Sequence, residues 1–154
     1  MASLPEPVAQ FLAGRRFAVA GVSRTPTSTA NHVFRKLRSA GYDVVPLNPH
    51  ADHLEGVPCY PALAALDAPV DGVVIATPPA ASADIVRQCA DCGIRRVWFH
   101  RSVGQGSVSD QAVAECHARG LSCIVGGCPL MYCEPVDPVH RCMRWLLGWR
   151  GRVP

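Results

Sequence analysis

The 154-residue sequence predicts an α/β fold, a Rossmann-like doubly wound parallel sheet of about five strands with a C-terminal amphipathic helix. Three observations predict it. Five short apolar runs lack the alternation of a half-solvated strand, as expected of strands buried on both faces of a parallel sheet. Segments of helical period lie between most of them, and strand–helix alternation is the signature of right-handed crossovers. Glycines and prolines, 13 and 14 of them, fall at the joints of this pattern. A chain of this length holds one core, so we read 1–154 as a single domain, with the α/β core at about 15–131 and the terminal helix at about 137–149.

The elements follow in order. Residues Pro7 to Gly14 form a short capping helix. Phe17-Ala-Val-Ala-Gly-Val22 is the first strand. In Thr29 to Ala40 the apolar residues Ala30, Val33, Phe34 and Leu37 recur at helical spacing; Thr29 is the candidate N-cap and Gly41 the stop. Tyr42 to Leu47 is the second strand, Asp71 to Ala76 the third, Arg96 to Phe99 the fourth and Leu121 to Val125 the fifth. Between the second and third only one short helical turn, Ala62 to Leu66, is expected. Pro79 to Cys92 begins with proline at a first-turn position and stops at Gly93, and Ser107 to Arg119 stops at Gly120. Asp137 to Trp149 places Val139, Met143, Leu146 and Leu147 at helical spacing, a stripe suited to the sheet or to the twin subunit of a homodimer.

Composition excludes several classes. Hydrophobic residues make up 49% and charged ones 18%, which fits neither a disordered tail nor a coiled coil. The net charge of +3 comes from Arg141, Arg144, Arg150 and Arg152 near the end, set against Asp137. One terminal cluster is a poor phosphate-tracking footprint, so no nucleic-acid partner is expected. Polar residues or turn formers interrupt every apolar run, so no membrane span is expected. The start, MASLPEPVAQFLAGRRF, has no basic n-region followed by an apolar run. Cytoplasmic location follows as an expectation, with the eight cysteines reduced.

Ligands of open parallel sheets bind beyond the carboxyl ends of the strands. After the first strand Gly21 permits a tight turn, and Val22, Ser23, Arg24 and Thr25 bring amides, hydroxyls and a guanidinium to a helix N-terminus, a phosphate-binding loop in residue type. Asn48-Pro49-His50 follows the second strand, Thr77-Pro78-Pro79 the third and His100 the fourth. The G-x-G-x-x-G of a dinucleotide site is missing, and Asn48 stands where an acidic residue would hold a ribose. A P-loop is excluded too, because the single lysine is Lys36. An adenine nucleotide other than NAD fits better.

The segments A-V-A-G-V-S-R (18–24), G-Y-D-V-V-P-L-N-P (41–49), G-V-P-C-Y-P-A-L (56–63), V-D-G-V-V-I (70–75), G-I-R-R-V-W-F-H (93–100) and C-P-L-M (128–131), taken in this order and spacing, resemble the CoA-binding domain family, small proteins similar to the CoA-binding domain of the succinyl-CoA synthetase alpha subunit. The resemblance covers about 17–131. It implies CoA or an acyl-CoA as ligand, with Gly21, Val22, Ser23, Arg24 and Thr25 facing the pyrophosphate and Asn48, Pro49 and His50 the adenosine end. Thr77, Pro78, Pro79 and His100 would line the remaining side. Two positions depart from the family pattern: His50 replaces a frequent lysine and His100 a usual glutamine. His100 is not a counterpart of the synthetase's phosphohistidine, which belongs to another domain.

The primary reading is a ligand-binding module without evident catalytic machinery. The alternatives are an NAD(P)-dependent or CoA-using small enzyme with His100 as base, or a thiol or metal protein. Cys89-Ala-Asp-Cys92 is a C-x-x-C near the end of a helix, where no helix N-terminus lowers a thiol pKa. Cys123, Cys128 and Cys133 recur at intervals that match no standard zinc site. Packed thiols are the expectation for both, and no catalytic or metal-ligating residue is assigned.

Overall fold

The computed structural model describes residues 3–102 and 104–154. Its sheet has five parallel strands: β1 (Arg16–Ala20), β2 (Asp43–Leu47), β5 (Gly72–Ile75), β6 (Arg96–Phe99) and β7 (Ser122–Val125), in the order β2-β1-β5-β6-β7. All of their pairings are parallel. Beyond β2 the parallel bridge from Leu47 to Tyr60 adds a one-residue continuation of the sheet, closed by Tyr60 N–H to Pro46 O at 3.0 Å and Asn48 N–H to Tyr60 O at 3.0 Å. The chain leaves β1 to one side and re-enters at β5 on the other, so the switch point lies between the carboxyl ends of β1 and β5.

Helices cover both faces, as strands buried on both sides require. On one face α1 (Glu6–Leu12), α2 (Thr29–Ser39) and α5 (Pro138–Trp149) enclose Phe11, Phe17, Val19, Phe34, Trp98 and Leu147. Phe11 stacks on Phe17 at 4.8 Å and meets Trp98 edge-on at 5.4 Å. On the other face α3 (Pro79–Asp91) and α4 (Asp110–Ala118) enclose Ala18, Val73, Ile75, Val86, Val97, Phe99 and Cys116. Successive strand residues thus alternate between two cores, which is why the strand sequences read as continuous apolar runs.

Several boundaries differ from the sequence expectation. β1 stops at Ala20 rather than Val22, because Gly21 takes φ +104° and turns the chain while Val22 stays buried. α2 is capped by Ser28, whose hydroxyl accepts from the backbone N–H of Asn31, and not by Thr29. α4 begins at Asp110 under a Ser109 cap, since Ser107 is fully engaged: its hydroxyl donates to Ile75 O at 2.6 Å and lies 3.1 Å from His100 O. The turn expected at 62–66 is a single 3-10 turn, Leu63–Ala65. A small hairpin, β3 (His53–Leu54) with β4 (Val57–Pro58), was not foreseen; its turn is Glu55-Gly56, both at positive φ. In α5 the stripe divides: Leu147 is buried and Met143 packs on the core, whereas Val139 and Leu146 point outward with Trp145 and Trp149. No described helix is long and apolar enough to cross a membrane.

Candidate functional site

At the switch point a cleft of about 330 Å³ opens between the ends of β1, β2 and β5 and the first turns of α3, lined among others by Gly21, Asn48, Pro49, Pro61, Thr77 and Ile85. Gly21 makes it possible. A Cβ at this position would lie 2.4 Å from Ala76 O, so the backbone after β1 passes directly against the end of β5, and φ +104° is open to glycine at little cost. A wider depression of about 590 Å³, bordered by Arg15, Asp71 and Arg96, lies at the opposite edge. The carboxyl edge is where helix N-termini and crossover loops converge, and it is the edge the fold predicts.

The loop from Gly21 to Ser28 is held by a side chain that the sequence reading did not single out. Asn31, 1% exposed, accepts Ser23 N–H at 2.9 Å and donates to Ser23 O at 2.8 Å and to Glu55 Oε1 at 2.7 Å. Glu55 is also paired with Arg35 at 2.7 Å. Asn48 carries the adjacent turn: its amide donates to Val22 O at 2.9 Å and its oxygen accepts His50 N–H at 2.8 Å. Arg24 donates to His50 O at 2.9 Å, which ties the turn after β2 to the loop after β1. An Asn in a helical apolar pattern, aligned with a loop polar group eight residues earlier, was the available sequence signal for Asn31.

The twelve expected site residues fall into four places. Gly21, Asn48, Pro49 and Thr77 line the cleft. Ser23, Arg24, Thr25 and His50 stand on the connected rim, and Val22 offers only backbone, its side chain being fully buried. Pro78 and Pro79 start α3 beside the Thr77–Ser82 hydroxyl contact at 3.3 Å. His100 is elsewhere. Strand alternation in β6 puts it on the side of Trp98, where it lines a separate cavity of about 250 Å³ with Thr29, His32, Ser102, Cys128, Leu130 and His140. Burial pushes its pKa down to about 4, because no nearby charge offsets desolvation of the cation.

The cysteines separate by face. Cys128 and Cys133 pack in the core under α2 and α5, and Cys123 belongs to the opposite core. The three therefore do not converge, and among the described residues no three His, Cys, Asp or Glu side chains could hold a metal ion. Burial pushes the Cys89 thiol up to about 12, leaving that cysteine without a thiolate at neutral pH. Cys123 behaves differently: its neighbours Cys116 and His117 pull its thiol down, and its sulfur lies 3.6 Å from His117 Nε2.

The chain is similar to known proteins over most of its length. Uncharacterized protein YneT of Bacillus subtilis is 26% identical over 114 residues, 74% of this chain and 82% of the relative. The ADP-forming acetate–CoA ligase II of Archaeoglobus fulgidus is 31% identical over 80 residues, covering 51% of this chain but only 12% of that protein. A solved structure of a conserved hypothetical protein from Pyrococcus furiosus superposes with a TM-score of 0.64 at 28% identity, covering 71% of this chain and 90% of the other. The CoA binding domain family matches residues 15–134, which spans the sheet, the cleft and the loop around Asn31, and the chain belongs to that family.

Proposed function

We propose that the protein is a binding module for CoA or an acyl-CoA, with the adenosine end in the switch-point cleft and the phosphates on the loop between β1 and α2. The observation that carries this reading is the convergence of Gly21, Asn48, Pro49 and Thr77, from three strand ends, on one cleft beside the loop that carries Arg24. The cleft is apolar toward Ile85 and Pro61, which suits a purine. The loop adds backbone amides, the N-terminus of α2 and the Arg24 guanidinium, which suit a phosphate. His100 is a poor general base at neutral pH, because its pKa of about 4 leaves it a weak proton acceptor, and this favours binding over acid–base chemistry.

The test is native mass spectrometry of the purified protein followed by calorimetric titration with CoA, acetyl-CoA, NAD and NADP. CoA should bind while NAD and NADP stay silent. Arg24→Ala should weaken the CoA complex by about 1.5–3 kcal/mol through loss of a charge-assisted phosphate contact. Binding of NAD or NADP with no response to CoA would overturn the reading, and an unchanged CoA affinity in Arg24→Ala would remove Arg24 from the site.

A further inference from the structure

The cavity around His100 has no role in the binding reading above, and its chemistry is specific. His100 is 7% exposed, and its ring makes no hydrogen bond to any described residue. Its backbone is held at the end of β6, with N–H donating to Ile75 O at 2.9 Å and O accepting from Ser107 N–H at 2.9 Å. The buried polar atoms without a partner among the described residues are Arg16 Nε and Arg101 Nε, so the His100 ring nitrogens are accessible, and the cavity they border is where a partner can reach them.

The groups around it come from every neighbouring element. From α2, Thr29 brings a hydroxyl in the first helical turn, and His32 has its Nδ1 3.3 Å from the Arg35 guanidinium, which fixes Nδ1 as acceptor and leaves the proton on Nε2. From α5, His140 pairs through Nδ1 with Asp137 Oδ2 at 2.6 Å. Ser102 and Cys128 add a hydroxyl and a thiol from the loops after β6 and β7, and Leu130 adds an apolar wall. The carboxylate paired with His140, Asp137, also accepts the backbone N–H groups of Val139 and His140 at 3.1 Å each. Among the described residues the cavity therefore offers donors and no lining carboxylate, which selects against cations. No described lysine or arginine lines it, which selects against a dianion such as a phosphate monoester. The N-terminus of the eleven-residue α2 adds a partial positive charge.

We infer that this cavity binds a carboxylate, carried on the acyl group of a CoA thioester, with His100 and His32 donating to its oxygens. The carrier, though not the carboxylate, rests on the CoA-binding reading. The cleft and the cavity lie at the same carboxyl edge on opposite faces of the sheet, and the loop from Gly21 to Thr29 forms part of both walls. The carrier part of the inference lays one extended ligand over this loop, in contact with both.

The experiment uses the full chain labelled at histidine, with the imidazole signals of His32, His100 and His140 followed by NMR during titration with CoA, acetyl-CoA, malonyl-CoA, free malonate and inorganic phosphate. Malonyl-CoA should move the His100 and His32 signals and bind at least about tenfold tighter than acetyl-CoA, the gain expected of a charge-assisted hydrogen bond from the buried His100. His100→Leu should bring that ratio close to one while CoA itself binds as before. If CoA binds but malonyl-CoA leaves His100 unmoved, or His100→Leu keeps the preference, the inference fails and the CoA reading stands. A response to free malonate equal to that of malonyl-CoA would keep the carboxylate site and remove the carrier. A stronger response to phosphate would overturn the carboxylate. Because the NMR readout uses the unaltered protein, the test survives a variant that fails to fold.

Discussion

Residue 100 shows how one side chain couples burial to pH. The imidazole titrates at about 4 in the folded protein against 6.5 when solvated, so between these values the unfolded chain binds more protons than the folded one. The sign follows directly: the contribution is complete above pH 6.5 and is lost as pH falls toward 4, roughly 3 kcal/mol across the window. Urea unfolding of the parent chain and of His100→Gln between pH 7.5 and 4.5 should show a steeper loss in the parent, and parallel curves would refute desolvation as the cause. The sequence marked His100 as unusual but placed it with the nucleotide loop. Only the alternation of β6 shows that it faces the other side of the sheet.

At the scale of elements, α2 decides the shape of the loop before it. Ser28 caps it, and Asn31, one turn in, accepts from the Ser28 hydroxyl and from Ser23 N–H. Ser28→Ala should therefore cost about 1 kcal/mol or more in urea unfolding, whereas Thr29→Ala should cost a few tenths; equal costs would return the cap to Thr29. Sequence reasoning located this helix within a residue at each end but chose the wrong cap, since Ser28 and Thr29 are both good N-caps and only the backbone conformation separates them. The same limit applies to α5. Its period was legible, but which half of the stripe turns inward was set by Tyr132, with Arg144 lying 4.6 Å over that ring, and by the core that receives Leu147.

At the scale of the molecule the two cores protect most of the thiols. Cys59, Cys89, Cys116, Cys128 and Cys133 are buried, and Cys92 and Cys142 are exposed. Brief alkylation of the native protein at neutral pH, read by mass spectrometry, should modify Cys92, Cys142 and the half-buried, acidified Cys123, with the other five reacting only in denaturant. Uniform labelling of all eight would contradict the packing. The sequence by itself determined the fold class, the five sheet strands, the order of helices and the glycine turn after β1, because these depend on local periodicity and on backbone freedom that neighbouring residues dictate. Tertiary structure decided the grouping of side chains distant in sequence: the Asn31–Glu55–Arg35 support of the loop, the division of the cysteines between faces, and the meeting of His32, His100 and His140 around one cavity. The physical reason is that a crossover sheet brings together residues tens of positions apart, and which of them share a face depends on register and on single-residue shifts of strand ends that no local pattern encodes.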